Sequence, residues 1–209
     1  MIGCILLAAG RSQRMGSQKL LLPVAGVPMI ARIANELCAS TVEPIVVVVG
    51  AESERIRQAL DTRSVRVVEN SAPESGMLSS VRCGLRALPD NCEGVLVALG
   101  DQPGLTRKLV AELIANFRRT GRRIVVPTFA GRRGHPLLFG ASLIPEVLNG
   151  FDDVGLRGLL LAHPEEITEV EVAAAHELAD LDTPEDYERV QGEISRGVRP
   201  APGREPEPI

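Results

Sequence analysis

The chain has 209 residues, 44% of them hydrophobic and 24% charged, with a formal net charge of −4 and a sequence pI near 5.5. That length suits a single domain able to bury a full core without disulfide or metal staples. The acidic balance, with one tyrosine, four phenylalanines and no tryptophan, argues against a nucleic-acid binder.

In chain order, residues 2–7 predict a strand buried on both faces, broken at Gly10 by a turn rich in glycine and cationic residues. A helix is predicted at 28–39, a Val-rich strand at 45–49, a helix at 52–60 and a strand at 65–68. The alternation continues with a helix at 77–88, a strand at 94–99, a helix at 106–119 and a strand at 124–127. The 106–119 helix places Leu109, Val110, Leu113, Ile114 and Phe117 on one face, with Thr106 as its cap and Gly121 as its stop. After Arg132 the pattern turns irregular: a short strand at 136–139, helices near 141–149 and 154–162, and a strand near 167–172. Thr183 and Pro184 form a helix entrance, with Pro184 at the first helical position.

Strands alternating with helices imply an α/β fold, a doubly wound and mostly parallel sheet in a single domain over residues 1–196, with ligands outside the carboxyl ends of the strands. Residues 197–209 hold four prolines and little apolar content, and are expected to be a disordered tail. Cys4, Cys38, Cys83 and Cys92 show no paired spacing and no histidine at ligand spacing, so reduced thiols are expected rather than zinc or disulfides. No segment approaches the ~18 apolar residues of a membrane span. The first apolar run has no basic segment before it, so the chain is expected in the cytoplasm, with no membrane and no nucleic acid among its partners.

The turn after the first strand carries the clearest ligand signal. Gly10 lets the main chain approach a ligand, so N–H groups of Gly10, Arg11 and Ser12 could converge on phosphate oxygens. Arg14 offers a bidentate fork and Lys19 a point charge. The dinucleotide fingerprint does not fit residues 10–15, and Ser17 follows Gly16 where a Walker loop needs lysine. The alternative reading is a solvated turn.

The run from Leu7, Ala8, Ala9 and Gly10 to Lys19 resembles the signature loop of MobA-like nucleotidyltransferases, and within them most resembles the molybdenum cofactor cytidylyltransferases. ESGMLSSVRCGL at 74–85, ALGDQPG at 98–104, RRGHPLLF at 132–139 and DLDTPEDY at 180–187 agree with it. The resemblance implies Mg²⁺-dependent transfer of CMP from CTP to the phosphate of molybdopterin, with release of pyrophosphate. It also implies a molybdoenzyme of the oxidoreductase class as recipient of the product. Alternatives are a different phosphorylated acceptor (a sugar phosphate, a phospholactate-like acid or a polyol phosphate) and a non-catalytic carrier of the finished cofactor. A flavin or nicotinamide oxidoreductase ranks last for want of the dinucleotide fingerprint.

Asp101, directly after the 94–99 strand, suits Mg²⁺, which binds through one or two carboxylates plus substrate phosphates. An aspartate starting a turn before Pro103 is the other reading, and the resemblance favours the metal. Asp182 is the candidate second ligand, against a purely structural role; Glu185 and Asp186 read as first-turn charges favoured by the helix dipole. By resemblance Gly76, Ser79 and Ser80 line the base and ribose pocket, with Gly100 beside them. Gln102, Arg133, His135, Asp153 and Arg157 are candidates for gripping the second substrate. The resemblance also ties Ala9 to cytidine, since relatives using guanosine carry glycine there, and a methyl group disfavours a larger base by excluded volume.

Overall fold

The computed structural model describes residues 1–10, 19–50, 53–181 and 183–197. In chain order the described strands are β1 (Ile2–Ala8), β2 (Pro23–Val24), β3 (Val27–Pro28), β4 (Val42–Val49), β5 (Arg66–Glu69), β6 (Gly94–Leu99), β7 (Ile124–Phe129), β8 (Arg132–Arg133), β9 (Leu137–Gly140) and β10 (Ile167–Glu171). The α-helices are α1 (Met29–Cys38), α2 (Glu54–Leu60), α3 (Met77–Ala87), α4 (Arg107–Thr120), α5 (Ile144–Asn149), α6 (Arg157–Ala162) and α7 (Pro184–Gly197).

Eight strands form one sheet in the order β10-β7-β9-β6-β1-β4-β5, with β8 hydrogen-bonded to β7. β1 is parallel to β4 and β6, β5 to β4 and β10 to β7. β9 runs antiparallel between β6 and β7. The chain passes from β1 through α1 to β4 and through α2 to β5, then returns through α3 to β6 on the other side of β1. That reversal of direction opens a crevice at the carboxyl ends of β1 and β6.

Continuous apolar strands follow from burial on both faces. Cys4, Leu6, Val47, Val49 and Leu96 pack on one side with Ile33 of α1, Leu60 of α2, Leu113 of α4 and Val190 of α7. Ile5, Val46, Val48, Val95 and Val97 face the other way, against Val81 of α3, Val147 of α5 and Leu159 of α6. α4 begins and ends where its caps stand: the Leu109 N–H donates to Thr106 Oγ1 at 3.2 Å, and Gly121 has φ 67°. Thr183 likewise caps α7, accepting the Asp186 N–H at 3.1 Å.

Several boundaries differ from the sequence expectation for physical reasons. β4 begins at Val42 rather than residue 45, because a register shift lets Ile2 face Val42 while Cys4 faces Ile45; the extra residue accommodates Pro44, which has no N–H to give the ladder. α6 begins at Arg157 rather than residue 154, since Phe151 and Gly155 take left-handed conformations, φ 71° and 67°. Residues 141–143 form a 3₁₀ turn ahead of α5. The β2–β3 hairpin went unforeseen. Residues 198–209, nearly all of the expected tail, lie outside the described residues.

Candidate active site

The carboxyl ends of β1 and β6 frame a cavity of about 220 Å³, lined by Leu7, Ala8, Ala9, Gly10, Lys19, Leu20, Pro73, Gly76, Met77, Ser80, Leu99 and Asp101. Lys19 Nζ donates to Asp101 Oδ2 at 2.7 Å, their side chains 14% and 24% exposed. Cation and carboxylate are thus held together yet remain open to a ligand. Gly10 is not among the glycines with positive φ, and a Cβ built on it would meet nothing within 4 Å. What it gives the pocket is open main chain rather than an unusual backbone angle. Gly100 forms the wall behind: its N–H donates to Leu7 O at 2.9 Å, and a Cβ there would lie 2.8 Å from that oxygen.

α3 enters the pocket with Gly76, whose φ 90° and ψ 176° are open to glycine alone. No side chain caps this helix start; Ser79 Oγ donates to Gly76 O at 2.8 Å and, in its other contact, to Ala72 O at 3.0 Å. Asn70, a residue the sequence reading passed over, follows β5 and is 6% exposed. Its Nδ2 donates to Ser79 Oγ at 2.8 Å and Ser80 Oγ at 2.9 Å, and its Oδ1 accepts the Ala72 N–H at 3.0 Å. The serine pair therefore fixes the entrance of α3, and of the two only Ser80 also lines the cavity. Pro73 and Met77 went equally unnoticed; the one available signal was their place in and beside the 74–85 motif.

A second cleft of about 710 Å³ adjoins the first, with Met77 lining both. Arg133, His135, Arg157 and Glu169 supply its charge and polarity; Leu137, Val154, Leu156, Leu160 and Leu161 supply its apolar wall. Arg133 Nε donates to Glu169 Oε1 at 2.7 Å. Burial holds the half-buried His135 imidazole below its ordinary value of 6.5, while the Asp101 carboxylate opposes that shift.

Two of the predicted substrate contacts sit elsewhere. Gln102 is 3% exposed and donates Nε2 to Asp180 Oδ1 at 2.8 Å and Leu178 O at 3.3 Å. It ties the turn after β6 to the segment before α7. Asp153 is exposed in the 151–156 turn and is not among the cleft-lining residues. Arg11, Ser12, Arg14 and Asp182 lie outside the described residues. Leu181, however, donates its N–H to Asp101 O at 3.1 Å. Among the described residues no group of three or more His, Cys, Asp or Glu side chains is placed to hold a metal ion; Asp101, a partly exposed carboxylate lining the pocket, is an oxygen donor of the kind Mg²⁺ takes. Among them, too, no helix is long and apolar enough to cross a membrane.

Residues 4–167 match the family model described as the MobA-like NTP transferase domain. The chain belongs to that family. It is 31% identical over 195 residues to the nicotine blue oxidoreductase of Paenarthrobacter nicotinovorans, covering 89% of this chain and 94% of the relative. It is 28% identical over 190 residues to the molybdenum cofactor cytidylyltransferase of Escherichia coli, covering 89% and 93%. Among solved structures, a nucleotidyl transferase from Methanothermobacter superposes with a TM-score of 0.82 at 27% identity, covering 94% of this chain and 99% of that one. The MobA-like chain is thus a nucleotidyltransferase by family, and the resemblance to that family holds. One relative bears an oxidoreductase name despite the low rank given to redox chemistry.

Proposed function

We propose that the chain moves CMP from CTP to the phosphate of molybdopterin, releasing pyrophosphate, with Mg²⁺ held at Asp101. The observation that carries this reading is the Lys19–Asp101 pair at 2.7 Å in a pocket that shares Met77 with a second, arginine-bearing cleft. The name of the Escherichia coli relative supports the substrates.

The acceptor phosphate is already ionised, so no protein nucleophile is required. Its oxygen forms a new bond to the α-phosphorus of CTP, in line with the α–β bridge, which breaks with its electron pair leaving on pyrophosphate. Lys19 and Arg14 neutralise charge gathering on the leaving group. Asp101 and Asp182 are assigned to the cation; the bond from Leu181 to Asp101 O supports bringing this segment to the site. A Mg²⁺ held by these carboxylates would supply positive charge to the substrate phosphates. Gly10, Arg11, Ser12, Gly76 and Ser80 cradle the nucleotide, and Ala9 restricts the base to a pyrimidine. Arg133 and Arg157 bind the acceptor's anion. His135, whose charged form is disfavoured by burial, offers the acceptor a hydrogen bond.

A second reading keeps this pocket and changes the acceptor to a sugar, polyol or phospholactate-like phosphate. The leucine wall of the second cleft favours molybdopterin, whose flat ring system has an apolar face that a polyol lacks.

The test is pyrophosphate release from each NTP in turn, with Mg²⁺ and molybdopterin present. Release with CTP, dependent on molybdopterin, is expected. A preference for GTP would overturn the role given to Ala9, and no release with any NTP would overturn the transfer reaction in favour of carriage or redox chemistry.

A further inference from the structure

Arg82 stands on α3, within the 74–85 motif, yet lines neither cavity. Its side chain is only 17% exposed and reaches across to the end of α5 and the segment that follows it. There Nε donates to Val147 O at 3.0 Å, Nη2 to Gly150 O at 2.6 Å and Nη1 to Asp152 Oδ1 at 2.6 Å. One guanidinium thus closes three contacts over six residues, which its planar fork allows and an ammonium does not. Asp152 is 71% exposed, so the ion pair itself adds little. The two carbonyl bonds do most of the holding.

What Arg82 holds needs holding. Gly150 O belongs to the peptide that precedes Phe151, a bulky residue at φ 71°, a conformation that persists only where its surroundings impose it. On the far side the Phe151 ring lies against Gly158 of α6, where a Cβ would come within 2.3 Å of it. The Gly155 N–H donates back to Phe151 O at 2.7 Å. The resulting turn delivers Val154, Gly155, Leu156 and Arg157 to the second cleft. The same helix that carries Arg82 opens the first cavity with Gly76 and Met77.

We propose that Arg82 is a positioning residue that fixes the wall of the acceptor cleft to the helix framing the nucleotide pocket, and so sets the two substrates in register. The assignment of the clefts rests on the function proposed above; the clamp itself does not. In-line transfer is sensitive to displacements of about 1 Å, and without Arg82 the 147–157 segment loses its hydrogen-bonded tie to α3 and keeps only apolar packing against it.

The test compares the full chain with Arg82→Ala, Arg82→Lys and Asp152→Asn in two measurements. By pyrophosphate release, Arg82→Ala is expected to raise the KM for molybdopterin about tenfold while leaving that for CTP within about twofold. Arg82→Lys should recover part of the loss, and Asp152→Asn should stay close to the parent. By hydrogen exchange, Arg82→Ala should speed exchange across 147–157 and leave β1 protected. Equal rises in both KM values, or unchanged exchange in that segment, would overturn the proposal. If the parent chain released no pyrophosphate, the transfer reaction would fall, and exchange alone would support or overturn the clamp.

Discussion

Lys19 and Asp101 stand 82 positions apart and meet at 2.7 Å, so the pair depends on the β1–β6 pairing that brings both loops to one edge. Lys19→Ala should lower turnover about 10²- to 10³-fold, as loss of a charge-stabilising donor does. It should cost about 1 kcal/mol of stability or less, because Asp101 stays partly solvated; pyrophosphate assays and thermal melts on the same preparation read both. His135 gives the opposite kind of effect. Its folded-state pKa lies below 6.5, so as pH falls through that value the unfolded chain takes up a proton the folded chain refuses, and stability drops. Denaturant midpoints measured from about pH 8 to about pH 5 should fall, and His135→Asn should flatten the slope. That Lys19, Asp101 and Ala9 gather at one pocket was legible because each lies inside a motif. Gln102 shows the limit: a polar residue within a motif can serve the fold, and only its 3% exposure and its bond to Asp180 reveal that.

Elements with local signals were readable from sequence, and those defined by distant partners were not. α4 carries its own periodicity, a capping threonine and a stopping glycine. β9 was visible as a short apolar run, but its antiparallel place between β6 and β7 depends on strands far away in sequence. Asn70 was missed for the same reason, since its partners Ser79 and Ser80 lie across a turn. Asn70→Ala should cost about 1–3 kcal/mol, because it removes the donor to a serine that is 5% exposed and leaves the Ala72 N–H without its acceptor. Loosening the 70–77 segment should also raise the KM for the nucleotide more than that for the acceptor. Proportional increases in both would mean that Asn70 serves general stability alone.

At the scale of the whole molecule, the doubly wound order was legible because alternating strands and helices admit few topologies, whereas the link from the C-terminal segment to the site was not. Leu181 is buried and bonded to Asp101 O, Gln102 holds Asp180, and Tyr187 OH donates to Pro23 O. A Cβ on Gly104 would lie 2.0 Å from His176 O, so this segment is packed directly onto the turn that presents Asp101. These contacts are made of apolar burial and hydrogen bonds between protein groups. A cation bound through Asp101 and substrate phosphates would therefore be needed for turnover but not for folding. Chelation with EDTA should abolish pyrophosphate release and leave the melting temperature within about 2 °C, which for a chain of this size corresponds to about 1 kcal/mol or less. Added Mg²⁺ should restore activity without refolding. A large fall in melting temperature on chelation would instead assign the metal a structural site away from Asp101.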